Sequence, residues 1–188
     1  MVRLTRIYTR LGDGGQTHLG DMSRVSKAGL RVTAFGEVDE ANSAVGVARL
    51  QADEAVDAWL AAVQNDLFDV GADLCTPDHP APAHPPLRVT AGQVERLERW
   101  CDEANEALAP LTSFVLPAGT PLAAHLHVAR AVTRRAERAV VALAAAEPVN
   151  EEALRYLNRL SDLLFILARA ANGGDDVLWR PAAGADAP

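Results

Sequence analysis

The sequence predicts an all-α protein, a five-helix up-and-down bundle preceded by an ordered glycine-rich N-terminal loop. Alanine and leucine are abundant and aromatic residues make up only 5% of the chain, a composition that favours helix over sheet. Apolar residues recur at helical spacing in long segments, and prolines or glycines separate these segments. A length of 188 residues suits a single domain with a substantial core.

The loop is expected over residues 5–30. Its stretch RLGDGGQTHLGD holds four glycines and shows no helical period. We expect no strand here or elsewhere in the chain. The bundle is expected over residues 36–173 and a C-terminal tail over 174–188, in which Trp179 packs back on the bundle.

Two helices are expected after the loop. The first begins at Glu37 and the second covers residues 54–75, each with apolar residues three or four positions apart on one stripe. The stripes are Val38, Ala41, Val45 and Ala48 in the first helix, and Val56, Leu60, Val63, Leu67 and Val70 in the second.

Capping signals place the other three helices. Five prolines between positions 76 and 87 mark a connector, because proline interrupts helices and central strands. Thr90 and Gln93 form a capping box for a third helix that ends near Asn105. The fourth runs from its cap at Thr120 to about residue 146, and the fifth from Asn150 to the glycine at position 173.

The net charge of −7 argues against a nucleic-acid-binding protein. No apolar run reaches the roughly 20 residues of a membrane span, and the first residues lack the apolar stretch of a secretory signal. A cytoplasmic protein is therefore expected. Cys75 and Cys101 have no metal-ligating neighbours at suitable spacing, so buried reduced thiols are favoured over a disulfide or a metal site.

Positive charge is concentrated in two places in this acidic chain. Residues 1–31 carry six basic side chains against two acidic ones, and residues 130–138 carry four arginines against one glutamate. Two such segments predict one compact anion, bound by parts of the chain that are distant in sequence.

On the fourth helix, Arg130, Arg134, Glu137 and Arg138 share one arc, whereas Arg135 points away from it. A solvated face is the simpler interpretation of such a charge run. However, arginines repeated four residues apart repel one another unless an anion lies among them, and guanidinium fits phosphate or carboxylate oxygens. An anion site is therefore the alternative that we favour.

The fifth helix carries a strip of Asn158, Asp162, Phe165 and Arg169 on an otherwise apolar surface. Such a strip indicates a ligand, or a buried network with the fourth helix, and both can hold. In the loop, glycine N–H groups and polar side chains such as Thr9 could bind phosphate. That signal is weak alone, because no Walker A motif is present.

Five stretches together resemble a known family. They are YTRLGDGGQTHLGDMSRVSK, FGEVDEANSAVG, SFVLPAGT, LHVARAVTRRAER and YLNRLSDLLFILAR, in this order. The chain resembles the PduO-type ATP:cob(I)alamin adenosyltransferases over residues 5–180. The resemblance implies a ferritin-like helical bundle, a homotrimer with active sites between neighbouring subunits, and transfer of the 5′-deoxyadenosyl group of ATP to the cobalt of cob(I)alamin. It also implies Mg²⁺ with the ATP, a flavin-type reductase and a cobalamin-dependent mutase as partners, and no membrane.

The same resemblance implies roles for individual residues. Arg134, Phe114, Asp39 and Arg130 would be catalytic, with Asp39 and Arg130 paired across two subunits. Phe114 and Phe165 would lie against the corrin. ATP would be bound by Thr9, Arg10, Leu11, Gly12, Gln16, Thr17, Lys27, Arg134, Arg135, Glu137, Arg138 and Asn158.

A non-catalytic escort for adenosylcobalamin is the alternative from another class, and a purely structural helical oligomer is a third. Arg134, Arg138 and Asn158 favour the enzyme, because an escort needs no triphosphate site. A structural oligomer would leave both basic segments unexplained.

Overall fold

The computed structural model describes residues 8–81 and 84–181. This part of the chain contains five helices, which confirms the predicted all-α bundle. Two short strands precede them. The elements are β1 Gln16–His18, β2 Arg24–Ser26, α1 Leu30–Arg49, α2 Glu54–Cys75, α3 Ala91–Asn105, α4 Pro121–Ala144 and α5 Glu151–Ala171.

The predicted caps are present. Thr90 and Gln93 form the capping box of α3. The Thr120 hydroxyl accepts from the backbone N–H of Ala123 at the start of α4, and the Asn150 side chain accepts from that of Glu152 at the start of α5. These bonds satisfy N–H groups that a helix leaves unpaired at its beginning.

The first helix begins at Leu30 rather than at Glu37. The apolar pattern did not predict helix at residues 30–36, because this stretch contains a charged residue, Arg31, that is buried. The Arg31 guanidinium donates to the backbone carbonyl of Leu74 and forms an ion pair of 2.7 Å with Glu147. Tertiary contacts therefore satisfy a side chain that the apolar pattern places outside the helix.

The prediction of no strand was wrong for residues 16–26, which form an antiparallel hairpin. Thr17 pairs with Val25 at its centre, and both are partly buried. The backbone N–H of Leu19 donates to the carbonyl of Ser23 at 2.9 Å, and Met22 between them has a left-handed φ of 68°. Strands of three residues are too short to show an alternating pattern in the sequence.

The core lies between the helices of the bundle, in which α4 contacts both α1 and α5. α1 packs against α2 and α4, and α5 packs against α3 and α4. The predicted stripes on α1 and α2 are buried, apart from Val56, which is partly buried. Both cysteines are free thiols, and burial raises the pKa of Cys101 to about 11.

A polar cluster joins the helix ends at one end of the bundle. The buried Asp73 carboxylate accepts from Arg88, from the backbone N–H of Val89 and from the Asn150 side chain, at 2.7–2.8 Å. The hairpin is anchored at the same end, where the backbone N–H of Gly20 donates to the carbonyl of Cys75. A Cβ at position 20 would lie 2.3 Å from the Thr76 hydroxyl, so this close approach requires glycine.

Within the described residues, no helix has both the length and the apolar character needed to cross a membrane.

Candidate functional site

A charged patch on α4 and α5, which we call the arginine patch, contains four of the predicted site residues. Arg134 and Arg138 are exposed on α4, and the Arg138 guanidinium donates to the backbone carbonyl of Arg134. The Asn158 side chain of α5 donates to the Glu137 carboxylate at 2.8 Å. Glu137 and Asn158 also line a shallow cleft of about 280 Å³. The structure thus places Arg134, Glu137 and Arg138 together, as the helical projection predicts, with Asn158 of α5 beside them. Arg130, which the projection puts on the same arc, lines a separate cavity.

Arg135 points to the other side of α4, in agreement with the projection. Its guanidinium forms ion pairs with Glu37 and Glu40 of α1. These two carboxylates raise the pKa of Arg135, chiefly through their hydrogen bonds. Sequence reasoning missed this link, because a helical pattern does not identify partners that are far apart in the chain. Its nucleotide contact stays a prediction.

A second group of predicted residues lines an apolar cavity of about 520 Å³. Phe114, Arg130 and Phe165 face it, together with Leu111, Thr112, Ser113 and Val115. Phe114 is 77% exposed, more than any other large apolar residue among those described except Leu50. The Arg130 guanidinium lies over the ring of Phe165, 5.8 Å from its centroid. The cavity combines two aromatic rings with one cation.

Arg130 has no carboxylate partner among the described residues of this chain. Its Nε is buried without a hydrogen-bond partner there. Burial and the nearby charge of Arg134 lower the pKa of Arg130. A half-buried guanidinium without a carboxylate partner carries a charge that is costly to bury unpaired. Asp39, its implied partner, is exposed on α1 and forms no ion pair with it among the described residues.

Asp39 lies instead at a groove between α1 and α2. The groove has a volume of about 430 Å³ and includes Asn42 and Phe68, whose side chain is 72% exposed. Large apolar groups exposed beside a groove are typical of interaction surfaces.

His127 lies behind the cavity, beneath Phe165. The two rings meet edge to face with centroids 6.1 Å apart, and neither imidazole nitrogen has a hydrogen-bond partner in the described residues. Burial and the charge of Arg130 lower the pKa of His127, so the neutral ring is favoured at pH 7. Sequence reasoning gave His127 no role, because the sequence does not reveal that this side chain is buried.

The strip predicted on α5 is divided between several roles. Asn158 and Phe165 face the two candidate sites described above. Asp162 forms a surface ion pair with Arg159, and Arg169 is buried in an ion pair with Asp176. A single ligand or a single network therefore does not account for the strip.

The predicted residues of the N-terminal loop lie in the hairpin and directly before and after it. The chain turns tightly here, because the backbone N–H of Gly15 donates to the carbonyl of Gly12 and that of Lys27 donates to Gly15. Arg10 has a left-handed φ of 62°, a conformation that non-glycine residues seldom adopt. The Lys27 ammonium lies over Gly12. The other predicted contacts, Thr9, Leu11, Gln16 and Thr17, are exposed or partly buried.

Turns of this kind present N–H groups that bind anions, and two cationic side chains stand beside them. The loop and the arginine patch are nevertheless separate within the chain. The hairpin is anchored on α2, whereas Arg134 lies on α4, and α1 packs between these helices. Arg134 is also about 15 Å along the axis from the end of α4 at Ala144, given a rise of about 1.5 Å per residue.

Comparisons with known proteins identify relatives of this chain. The family model described as cobalamin adenosyltransferase matches residues 7–171. A corrinoid adenosyltransferase of Mycobacterium tuberculosis (strain ATCC 25618 / H37Rv) is 55% identical over 184 residues, which is 96% of this chain and 95% of that protein. The corrinoid adenosyltransferase of Bacillus subtilis (strain 168) is 41% identical over 89% of this chain and 86% of that protein.

Solved structures agree with the sequence relatives. One is a phenylalanine-to-alanine variant of a PduO-type ATP:corrinoid adenosyltransferase from Lactobacillus reuteri, complexed with cobalamin and ATP. It matches with a TM-score of 0.86 and 38% identity, over 94% of this chain and 100% of that one. A second, an arginine-to-lysine variant from the same organism complexed with ATP, matches with a TM-score of 0.83 and 38% identity, over 93% and 100% of the two chains.

Proposed function

The chain belongs to the cobalamin adenosyltransferase family and transfers the adenosyl group of ATP to cobalamin, and we propose that two neighbouring subunits of a homotrimer form each of its active sites. One observation carries this proposal. The N-terminal loop with Arg10 and Lys27 and the arginine patch on α4 and α5 lie apart in one chain, although a single triphosphate would need both. Residues of the loop, with Lys27 and Arg10, would come from one subunit, and Arg134, Arg138 and Asn158 from the next.

The unpaired cation at the cavity supports the same assembly. Arg130 has no carboxylate partner among residues 8–81 and 84–181, and Asp39 is exposed beside an apolar groove. Docking the α1–α2 groove of one subunit near α4 of another would cover Phe68 and bring these opposite charges together. We therefore assign the predicted Asp39–Arg130 pair to the subunit interface.

The chemistry requires positioning rather than acid–base catalysis. The cobalt of cob(I)alamin supplies the electron pair of the new cobalt–carbon bond at the 5′-carbon of ATP. The bond from that carbon to the triphosphate oxygen breaks, and its electron pair leaves with the triphosphate. No proton moves, so no general base is needed. The protein holds the reactants in line and stabilises the leaving group, here with Arg134, Arg138 and Lys27.

We assign the cavity to one face of the other substrate. The rings of Phe114 and Phe165 offer an apolar wall to the corrin, and the exposed ring of Phe114 can exclude water and a lower ligand from the cobalt. A cobalt without that ligand is easier to reduce, which favours the nucleophilic state.

Mg²⁺ commonly accompanies ATP, and the residues present fit a magnesium ion that the nucleotide itself holds. In the two described ranges, no group of three or more histidine, cysteine or acidic side chains could form a metal site. Mg²⁺ in nucleotide sites takes ligands mainly from phosphates and water, with one or two carboxylates. Glu137, beside Arg134 and Arg138, would be the nearest such carboxylate. The ion would neutralise phosphate charge.

An escort for adenosylcobalamin would also bind at the cavity, but it would not need the arginine patch. The cytoplasmic location, the flavin-type reductase and the cobalamin-dependent mutase stay predictions.

The test is an anaerobic assay with the purified protein, chemically reduced cobalamin and Mg-ATP. We expect the cob(I)alamin absorption band to be replaced by that of a light-sensitive alkylcobalamin, with release of one triphosphate per product. Two reactions serve as controls. One omits the protein, and the other replaces ATP by adenosine, which lacks the triphosphate leaving group. Tight binding of adenosylcobalamin without conversion would contradict the transferase and favour the escort.

A further inference from the structure

The segment after α5 returns along the loop that carries Phe114. We call residues 175–180 the C-terminal strap and residues 109–120 the aromatic loop. The chain reverses at Gly173 and Gly174, which have left-handed φ angles of 63° and 83°. Residues with a side chain seldom adopt such angles, so the two glycines permit this reversal directly after the helix.

The strap pairs with the aromatic loop on both sides of Phe114. The backbone N–H of Trp179 donates to the carbonyl of Phe114 at 2.8 Å, and that of Leu116 donates to the carbonyl of Val177 at 2.7 Å. The Ser113 hydroxyl donates to the carbonyl of Trp179 at 3.0 Å. The aromatic loop is thereby fixed at positions 113, 114 and 116.

Trp179 also contacts the Phe114 ring itself. The two rings meet edge to face, with centroids 5.9 Å apart and an interplanar angle of 67°. The Phe114 ring is mostly exposed on a segment outside the helices. Such a ring would rotate freely without a neighbour, and an edge-to-face contact restricts it.

A buried ion pair holds the strap in place. Arg169 and Asp176 are 2.8 Å apart, and their side chains are 7% and 3% exposed. The same guanidinium donates to the backbone carbonyl of Ala109 at 2.7 Å. One arginine of α5 therefore fixes both the strap and the start of the aromatic loop.

The far end of the aromatic loop depends on the same part of the chain. The Asn172 side chain accepts from the backbone N–H of Thr120 and donates to the carbonyl of Ala118. The start, middle and end of the loop are thus all held by residues between Arg169 and Trp179.

We infer that the C-terminal strap, through Trp179 and the Arg169–Asp176 ion pair, positions Phe114 against the corrin. Asp176 and Trp179 are positioning residues, since they act through the aromatic loop. The inference rests on the proposed function of the cavity. It predicts that the strap affects the cobalamin half of the reaction and leaves the ATP half unchanged, because its contacts are with the aromatic loop and not with the arginine patch.

The test compares Trp179→Ala, Trp179→Phe and Asp176→Asn with the wild-type protein. Asp175→Asn is the matched control, because it removes an exposed neighbouring carboxylate that forms no ion pair in the described residues. Anaerobic kinetics give kcat and the KM for ATP. Electron paramagnetic resonance of cob(II)alamin, bound in the presence of Mg-ATP, reports the fraction of cobalt that has lost its lower ligand.

We expect Trp179→Ala and Asp176→Asn to lower kcat about tenfold, because small displacements of a positioning group can cost up to about 10²-fold. The fraction of cobalt without a lower ligand should fall in parallel, with the KM for ATP within about twofold of wild type. Trp179→Phe, which keeps an aromatic ring, should restore most of both signals. If Asp176→Asn does not fold, Trp179→Ala alone tests the inference. Trp179 is 46% exposed, so its replacement should leave the fold intact.

Unchanged kcat and resonance signal in Trp179→Ala would overturn the inference. So would a rise in the KM for ATP as large as the loss of kcat, which would indicate general damage. Both results leave the proposed function intact. A wild-type protein without adenosylating activity would instead contradict the proposed function, and the inference with it.

Discussion

Replacing Arg134 by alanine is expected to lower kcat/KM for ATP by about 10²–10³-fold, the usual effect of removing one donor to a developing negative charge. Arg134 is exposed on α4, next to Arg138 and to the Glu137–Asn158 hydrogen bond. In the proposed mechanism its guanidinium stabilises the leaving triphosphate. Cobalamin binding should change little, because the cavity is lined by Arg130 and not by Arg134.

The measurement is steady-state kinetics under anaerobic conditions, together with equilibrium binding of cobalamin. Arg99→Ala is the matched control, since it removes another exposed arginine, on α3, outside both candidate sites. Arg99→Ala should behave as wild type. An Arg134→Ala variant with wild-type kcat and KM for ATP would show that the triphosphate does not lie on this patch.

Replacing Phe114 by alanine is expected to slow adenosylation by about 10–100-fold, which corresponds to about 1.4–2.7 kcal/mol of barrier. The variant removes the ring that lines the cavity opposite Phe165. Water and the lower ligand could then approach the cobalt, and the reduced, nucleophilic state would be less favoured. ATP affinity should stay close to that of the wild type, because the ring lies outside the arginine patch.

Leu116→Ala is the control for this variant. Leu116 belongs to the same loop and is also an exposed apolar residue, but it does not line the cavity. Its kinetics should match those of the wild type. A large loss of ATP binding in Phe114→Ala would count against the assignment of this ring to the corrin.

Local sequence patterns were sufficient to predict most helices of the bundle. The bounds of α2 follow from its apolar stripe, and those of α3 from the capping box at Thr90. Helical geometry alone also separated Arg135 from Arg134 and Arg138, because their directions depend only on their spacing along α4.

The features that sequence reasoning missed depend on distant partners. The first turn of α1 contains Arg31, whose burial is offset by Glu147 and by the carbonyl of Leu74. The hairpin has strands of three residues, too short for a period. The Arg169–Asp176 pair forms only because the chain reverses after α5, so the spacing of the two residues does not indicate it.

The candidate site was only partly accessible to physical reasoning from the sequence. Charge distribution indicated an anion and two segments that bind it. The grouping of Phe114 with Phe165 required the resemblance, because a loop residue has no predictable direction, and the position of Arg130 beside these rings is known only from the structure. The separation of the two basic segments within one subunit became clear only from the packing order of the helices.

The central claim, that each ATP site combines the loop of one subunit with the arginine patch of the next, is tested most directly with mixed oligomers. Lys27→Ala and Arg134→Ala subunits, carrying different affinity tags, are co-expressed, and oligomers that contain both are purified. Oligomers of two differently tagged Arg134→Ala subunits serve as the control.

Each variant alone has a defect at every site. In a mixed trimer with head-to-tail interfaces, roughly one site in three combines an intact loop with an intact patch. We therefore expect the mixed oligomers to regain about a third of the wild-type activity, with the wild-type KM for ATP at the restored sites. Activity no higher than that of the two parent variants would contradict the shared site.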